Sequence, residues 1–207
     1  LEPGQPVLPE EFLAFKAKLV QLTNEAEVVT FNGSVPKGIS AENYKELIEE
    51  TMAAGVPCIV DASGALLTSC IDALPTMIKP NTDEIGQLLG REVTTEDQVI
   101  EAAQELHKRG IKIVVVSLGA KGALMVSDEG TFRANPPKIE AINPVGAGDT
   151  LVGSFAVALA QQKPTSECLT FALSCATASC LSAGTGRFDL DVATKIQKQV
   201  TIKKIAE

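Results

Sequence analysis

The residues best suited to chemistry lie between Asn143 and Thr150, where the chain reads NPVGAGDT and continues as LVGSFAVALA. Gly146, Ala147 and Gly148 precede a carboxylate, Asp149, and an apolar run of helical character follows. A helix start carries unpaired N–H groups and partial positive charge. Glycines there let the backbone come close to a ligand, which makes the segment an anion seat suited to phosphate. A carboxylate beside a phosphate repels it, so Asp149 needs a second role. The simplest is to take a proton from a hydroxyl that attacks a phosphoryl group. The N–H groups of Ala147, Gly148 and Asp149 would then meet the charge that develops. The same spacing also suits a plain helix cap, with Gly153 and Ala156 serving only close packing. Two other phosphate motifs are excluded. Leu151 stands where a dinucleotide fingerprint needs its third glycine, and no G-x-x-x-x-G-K-[ST] occurs.

These residues must be positioned by the elements around them, and strand and helix patterns alternate along the chain. Phe12, Leu13, Phe15, Leu19 and Leu22 predict an amphipathic helix over 9–22. Strands are predicted over 28–31, 58–61 and 76–79, with helices over 41–54, capped by Ser40, and around 65–70. Helices over 81–89 and 95–109 follow, and the β-branched run 111–118 predicts a strand covered on both faces. Strands over 124–127, 130–133 and 138–142 and helices over 148–161, 166–182 and 189–200 complete the chain. The pattern predicts one α/β domain over 1–207: a mostly parallel sheet flanked by helices on both faces. Ligands bind such sheets at the carboxyl ends of the strands. The polar and glycine-rich turns at 32–34, 61–64, 79–84, 117–122 and 143–149 fall there.

Composition narrows the partners. The 207 residues are 45% apolar with no Trp, enough to bury a core. A net charge of −8 argues against a nucleic-acid partner. No uninterrupted apolar run reaches a membrane span. The acidic, proline-rich start LEPGQPVLPEEF does not read as a signal peptide, so a cytoplasmic location is expected. Five cysteines with no C-x-x-C pair read as reduced core thiols. The single histidine, His107, lies in ELHKRG and reads as solvated, so neither a zinc site nor a Ser/His/Asp triad is expected.

NPVGAGDTLVGSFAVAL resembles the signature of the PfkB carbohydrate kinases of the ribokinase-like superfamily. FNGSVPKG (31–38), DASG (61–64), KPNTDE (79–84) and SLGAKGALMV (117–126) are similar, in the same order, to the G-S-[LV]-P, D-x-S-G, K-P-N-x-x-E and S-x-G-x-x-G elements of its sugar-phosphate kinase branch. Within that branch the chain resembles the tagatose-6-phosphate kinases, with the 1-phosphofructokinases close behind.

The resemblance implies a ribokinase-like three-layer fold and ATP-dependent phosphorylation of a ketohexose phosphate. Tagatose 6-phosphate is the first candidate acceptor; fructose 1-phosphate and fructose 6-phosphate are the alternatives. It implies that Asp149 is the catalytic base and that Gly146, Ala147 and Gly148 form the anion hole. Lys79, Asn81, Ser117, Gly119 and Gly122 would face ATP. Asn81 and Glu84 would organise Mg²⁺ through water, and Gly33 and Ser34 would hold the sugar phosphate. Each segment also has a plainer reading as a cap, a turn or a loop. The amino-terminal third of the family pattern, with its β lid and several sugar contacts, has no counterpart here. The full-length parent is therefore expected to be a homodimer, while this chain alone could be inactive or a non-catalytic nucleotide- or sugar-binding module.

Overall fold

The computed structural model describes residues 4–206. One seven-stranded sheet runs in chain order, β1 (Val29–Asn32), β2 (Cys58–Asp61), β3 (Met77–Ile78), β4 (Ile113–Ser117), β5 (Ala123–Ser127), β6 (Gly130–Asn135) and β7 (Thr201–Ala206). The first four strands are parallel, as expected of strands joined by helices. From β4 onward the pairings are antiparallel, so the sheet is mixed rather than parallel throughout. Short turns join β4, β5 and β6, too short to carry a parallel crossover.

Helices cover both faces. On one lie α1 (Pro9–Thr23), α2 (Ala41–Ala53), α3 (Gly64–Ile71), α4 (Thr82–Leu89) and α5 (Glu96–Lys108). On the other lie α6 (Ala147–Ala160) and α7 (Thr165–Ser179), with α8 (Leu190–Gln197) packed on α7. The strand β4 shows why its sequence is apolar throughout: Val114 and Val116 enter the first core, Ile113 and Val115 the second. Phe155 is fully buried and ties α6 to the sheet. Burying such a side chain contributes about 1.5–3 kcal/mol.

Local signals behave as their chemistry suggests at most helix starts. Ser40, Asn81 and Thr95 each accept a hydrogen bond from the N3 backbone N–H of α2, α4 and α5. Four expectations are corrected. The 138–142 segment is irregular, because Pro136 and Pro137 remove ladder donors before it and the Ile142 N–H turns to the Cys180 carbonyl at 2.8 Å. The last helix ends at Gln197 rather than at 200, and an edge strand that was not expected, β7, follows it. The helix α1 buries Phe12 but leaves Leu13 and Phe15 exposed, because it packs chiefly on α2. His107 is half-buried rather than solvated, with Nδ1 2.8 Å from the Ile111 carbonyl oxygen. All five cysteines are free, four of them buried. Among the described residues no helix is long and apolar enough to cross a membrane.

Candidate active site

The carboxyl ends of the four parallel strands line up into a rim. Asn32 of β1 is in register with Asp61 of β2, and the Gly33 N–H donates to the Asp61 carbonyl at 2.8 Å. Lys79 follows β3, with its N–H donating to the Val60 carbonyl at 3.2 Å. Asn81 bridges to Ser117 at the end of β4, and the Ser117 N–H donates to the Pro80 carbonyl at 3.0 Å. Gly33, Asp61, Lys79, Asn81 and Ser117 are therefore neighbours in space, though the first and last are 84 positions apart in the chain. Ser34 is exposed just beyond Gly33.

The helix α6 starts against this rim. Gly146, at φ 84°, is its left-handed N-cap. A Cβ at that position would lie 2.9 Å from the Gly186 nitrogen and 2.9 Å from Thr185 Cγ2, so the loop after α7 closes on a bare backbone. Thr150 Oγ1 donates to the Gly146 carbonyl at 2.8 Å and fixes the turn. The Ala147 N–H donates to the Pro144 carbonyl at 3.2 Å. Of the three N–H groups expected to face an anion, those of Gly148 and Asp149 remain without a partner among the described residues. Lys79 Nζ lies 3.6 Å from where a Cβ on Gly148 would stand, so the ammonium and the helix N-terminus meet at one point.

Charges gather there. Lys79 is 8% exposed and pairs with Asp61 Oδ1 at 3.1 Å. Burial holds the Asp61 carboxyl above its ordinary range, against the pull of Lys79, and the negative charges of Glu84 and Asp149 add to the upward shift. Asp149 is exposed, and its carboxylate makes no hydrogen bond or ion pair among the described residues. It is thus open to solvent rather than turned into protein.

A cavity of about 530 Å³ adjoins the α6 start. Lys79, Ser117, Gly119, Gly122, Ala147 and Gly148 line its polar end. Pro136, Ile139, Leu151, Leu173, Ala176 and Cys180 form a more apolar wall. Sequence reading missed that wall, because apolar residues of α7 and a loop carry no chemical signature of their own. Asp149 does not line the cavity; its carboxylate stands exposed beside it. Gly122 has a turn role independent of any ligand: at φ 97° its missing Cβ leaves room for the Ala134 carbonyl and Pro136.

Asn81 and Glu84 form a reciprocal capping box, with the Asn81 N–H donating to Glu84 Oε2 at 2.8 Å and the Glu84 N–H to Asn81 Oδ1 at 2.9 Å. Among the described residues no group of three or more His, Cys, Asp or Glu side chains is arranged to ligate a metal directly. The second Glu84 oxygen suits a hydrated divalent ion held through water, the habit of Mg²⁺.

Known proteins resemble this chain in sequence and in fold. A model of the pfkB family carbohydrate kinases matches residues 7–192. Tagatose-6-phosphate kinases of two Staphylococcus epidermidis strains are 32% identical over 208 residues, covering 99% of this chain and 67% of theirs. Escherichia coli phosphofructokinase-2, solved in complex with potassium, superposes with a TM-score of 0.90 at 33% identity, over 96% of this chain and 65% of that one. The same enzyme in complex with substrates and products gives 0.87 at 33% identity. This chain thus spans about two thirds of the length of the relatives it matches. With most of its length inside the family pattern and the fold shared, the chain belongs to the pfkB family of carbohydrate kinases.

Proposed function

We propose that this chain carries the phosphoryl-transfer centre of an ATP-dependent sugar-phosphate kinase, with tagatose 6-phosphate as acceptor and tagatose 1,6-bisphosphate as product. The carrying observation is the α6 start: two unpartnered N–H groups, the Lys79 ammonium and an exposed carboxylate, Asp149, within one turn of helix. The apolar wall of the cavity accepts a flat base, and its polar end accepts the phosphates. Ser117, Gly119 and Gly122 border the nucleotide, and Gly33 and Ser34 face the sugar phosphate.

Asp149 takes the proton from the attacking hydroxyl. The N–H groups of Gly148 and Asp149, with Lys79, meet the charge on the transferring group. Asn81 and Glu84 would hold Mg²⁺ through water, and the ion would supply charge neutralisation between the phosphates. A phosphoryl-acceptor screen with tagatose 6-phosphate, fructose 6-phosphate and fructose 1-phosphate tests the reading. ADP formation that depends on tagatose 6-phosphate supports it, and preference for another ketose phosphate moves the substrate assignment. Heat from Mg-ATP in a calorimeter without ADP from any acceptor points to a binding module instead.

A further inference from the structure

Asp61 stands where the two halves of the proposed site meet, and the mechanism gives it no task. Its backbone carbonyl anchors Gly33, on the sugar side, at 2.8 Å. Its carboxylate anchors Lys79, on the nucleotide side, at 3.1 Å. The pair is poorly solvated, with side-chain exposures of 19% and 9%. A lysine ends in a point charge on a flexible stem, so its head stays where its partners hold it. Among the described residues, Asp61 is the one side chain ion-paired to Lys79; Glu84 and Asp149 lie near enough to act on Asp61 but do not pair with the lysine. A carboxylate here also repels a polyphosphate. Nucleotide binding alone would be stronger without it, so its presence calls for a role in the reaction step.

We propose that Asp61 is a positioning residue for phosphoryl transfer: it fixes the Lys79 ammonium beside Gly148, where the transferring group passes, at the expense of nucleotide affinity. The proposal rests on the phosphotransfer reading above. An interaction of this kind acts on kcat rather than on ground-state binding.

The test is Asp61→Asn in the intact protein, which keeps the side-chain shape and the backbone carbonyl that holds Gly33. Turnover should fall about 10- to 100-fold, the range expected from a misplaced catalytic group. The calorimetric dissociation constant for Mg-ATP should stay level or drop, a split that loss of structure does not produce. On a Lys79→Met background the same change should cost no further turnover, because Asp61 acts through the lysine. Asp61→Glu, which keeps the charge, should recover part of kcat and serves if the asparagine variant folds poorly. Turnover within about twofold of wild type, weaker Mg-ATP binding, or an undiminished loss on the Lys79→Met background would each overturn the proposal. Normal wild-type turnover with an unchanged Asp61→Asn variant removes the role of Asp61 alone. A wild-type protein that binds Mg-ATP but phosphorylates no ketose phosphate removes the phosphotransfer reading, and this proposal with it.

Discussion

Gly146→Ala is the sharpest test of how the α6 start is built. The residue sits at φ 84°, where an L side chain costs roughly 1–2 kcal/mol. The added methyl would also lie 2.9 Å from both the Gly186 nitrogen and Thr185 Cγ2, and 3.3 Å from Gly186 Cα. Two of those three atoms are backbone, so relief requires the 184–187 loop to move, and crowding of this kind typically costs about 1–3 kcal/mol. Together the loss is about 2–5 kcal/mol, or roughly 4–20 °C in Tm for a domain of this size. Gly153→Ala is the internal control. It lies within α6 with nothing within 4 Å of its added Cβ, and should gain about 0.5–1 kcal/mol from helix propensity. Urea unfolding of both variants decides the matter. A Gly146→Ala protein within about 0.5 kcal/mol of wild type, or a Gly153→Ala protein equally damaged, would refute the packing argument.

Asp149→Asn should leave Tm unchanged, since the carboxylate has no partner to lose, while turnover falls about 10²- to 10⁴-fold; near-normal turnover removes its role as base. Gly148→Ala should hold or raise stability by about 0.5–1 kcal/mol, because its helical backbone accepts a side chain and the methyl meets Lys79 Nζ at an ordinary 3.6 Å. It should nevertheless weaken Mg-ATP binding in calorimetry, because the methyl enters the phosphate seat; unchanged affinity counts against that seat. Burial pushes the thiols of Cys58 and Cys70 up to about 12 and that of Cys168 up to about 11, from an ordinary 9.0. The unfolded chain releases these protons from about pH 9 while the native chain holds them, so stability falls as pH rises from about 9 to about 12. The urea midpoint in reducing buffer should therefore be lower at about pH 10 than at about pH 8, and equal midpoints would contradict this.

Local rules fix single elements, and those were legible. Ser40 is readable as a cap because the N-cap hydrogen bond is made within four residues, and the helices expected from 81 and 95 use Asn81 and Thr95 in the same way. The uniform β-branched composition of β4 announced burial on both faces, and both cores use it. The rim formed by Gly33, Asp61, Lys79 and Ser117 was legible only as an ordered set of turns. Their meeting depends on parallel register between strands far apart in sequence. Long-range closure hid other features. The strand β7 is a mostly exposed edge strand with Lys203 and Lys204 in it, so it shows no apolar run. The segment 138–142 has strand-like composition but lines a cavity behind two prolines. At the α6 start, the glycines were legible but the local bond from Ala147 to Pro144 was not, and it reduces the available N–H groups to those of Gly148 and Asp149.

The central claim is that the α6 start transfers a phosphoryl group to a sugar hydroxyl with Asp149 as base. The most direct measurement is ³¹P NMR of the protein with Mg-ATP and tagatose 6-phosphate, run beside Asp149→Asn. The account predicts a new sugar 1-phosphate signal growing in step with ADP, and its near absence in the variant. ATP that stays intact, or that yields inorganic phosphate with no phosphorylated sugar, would contradict it.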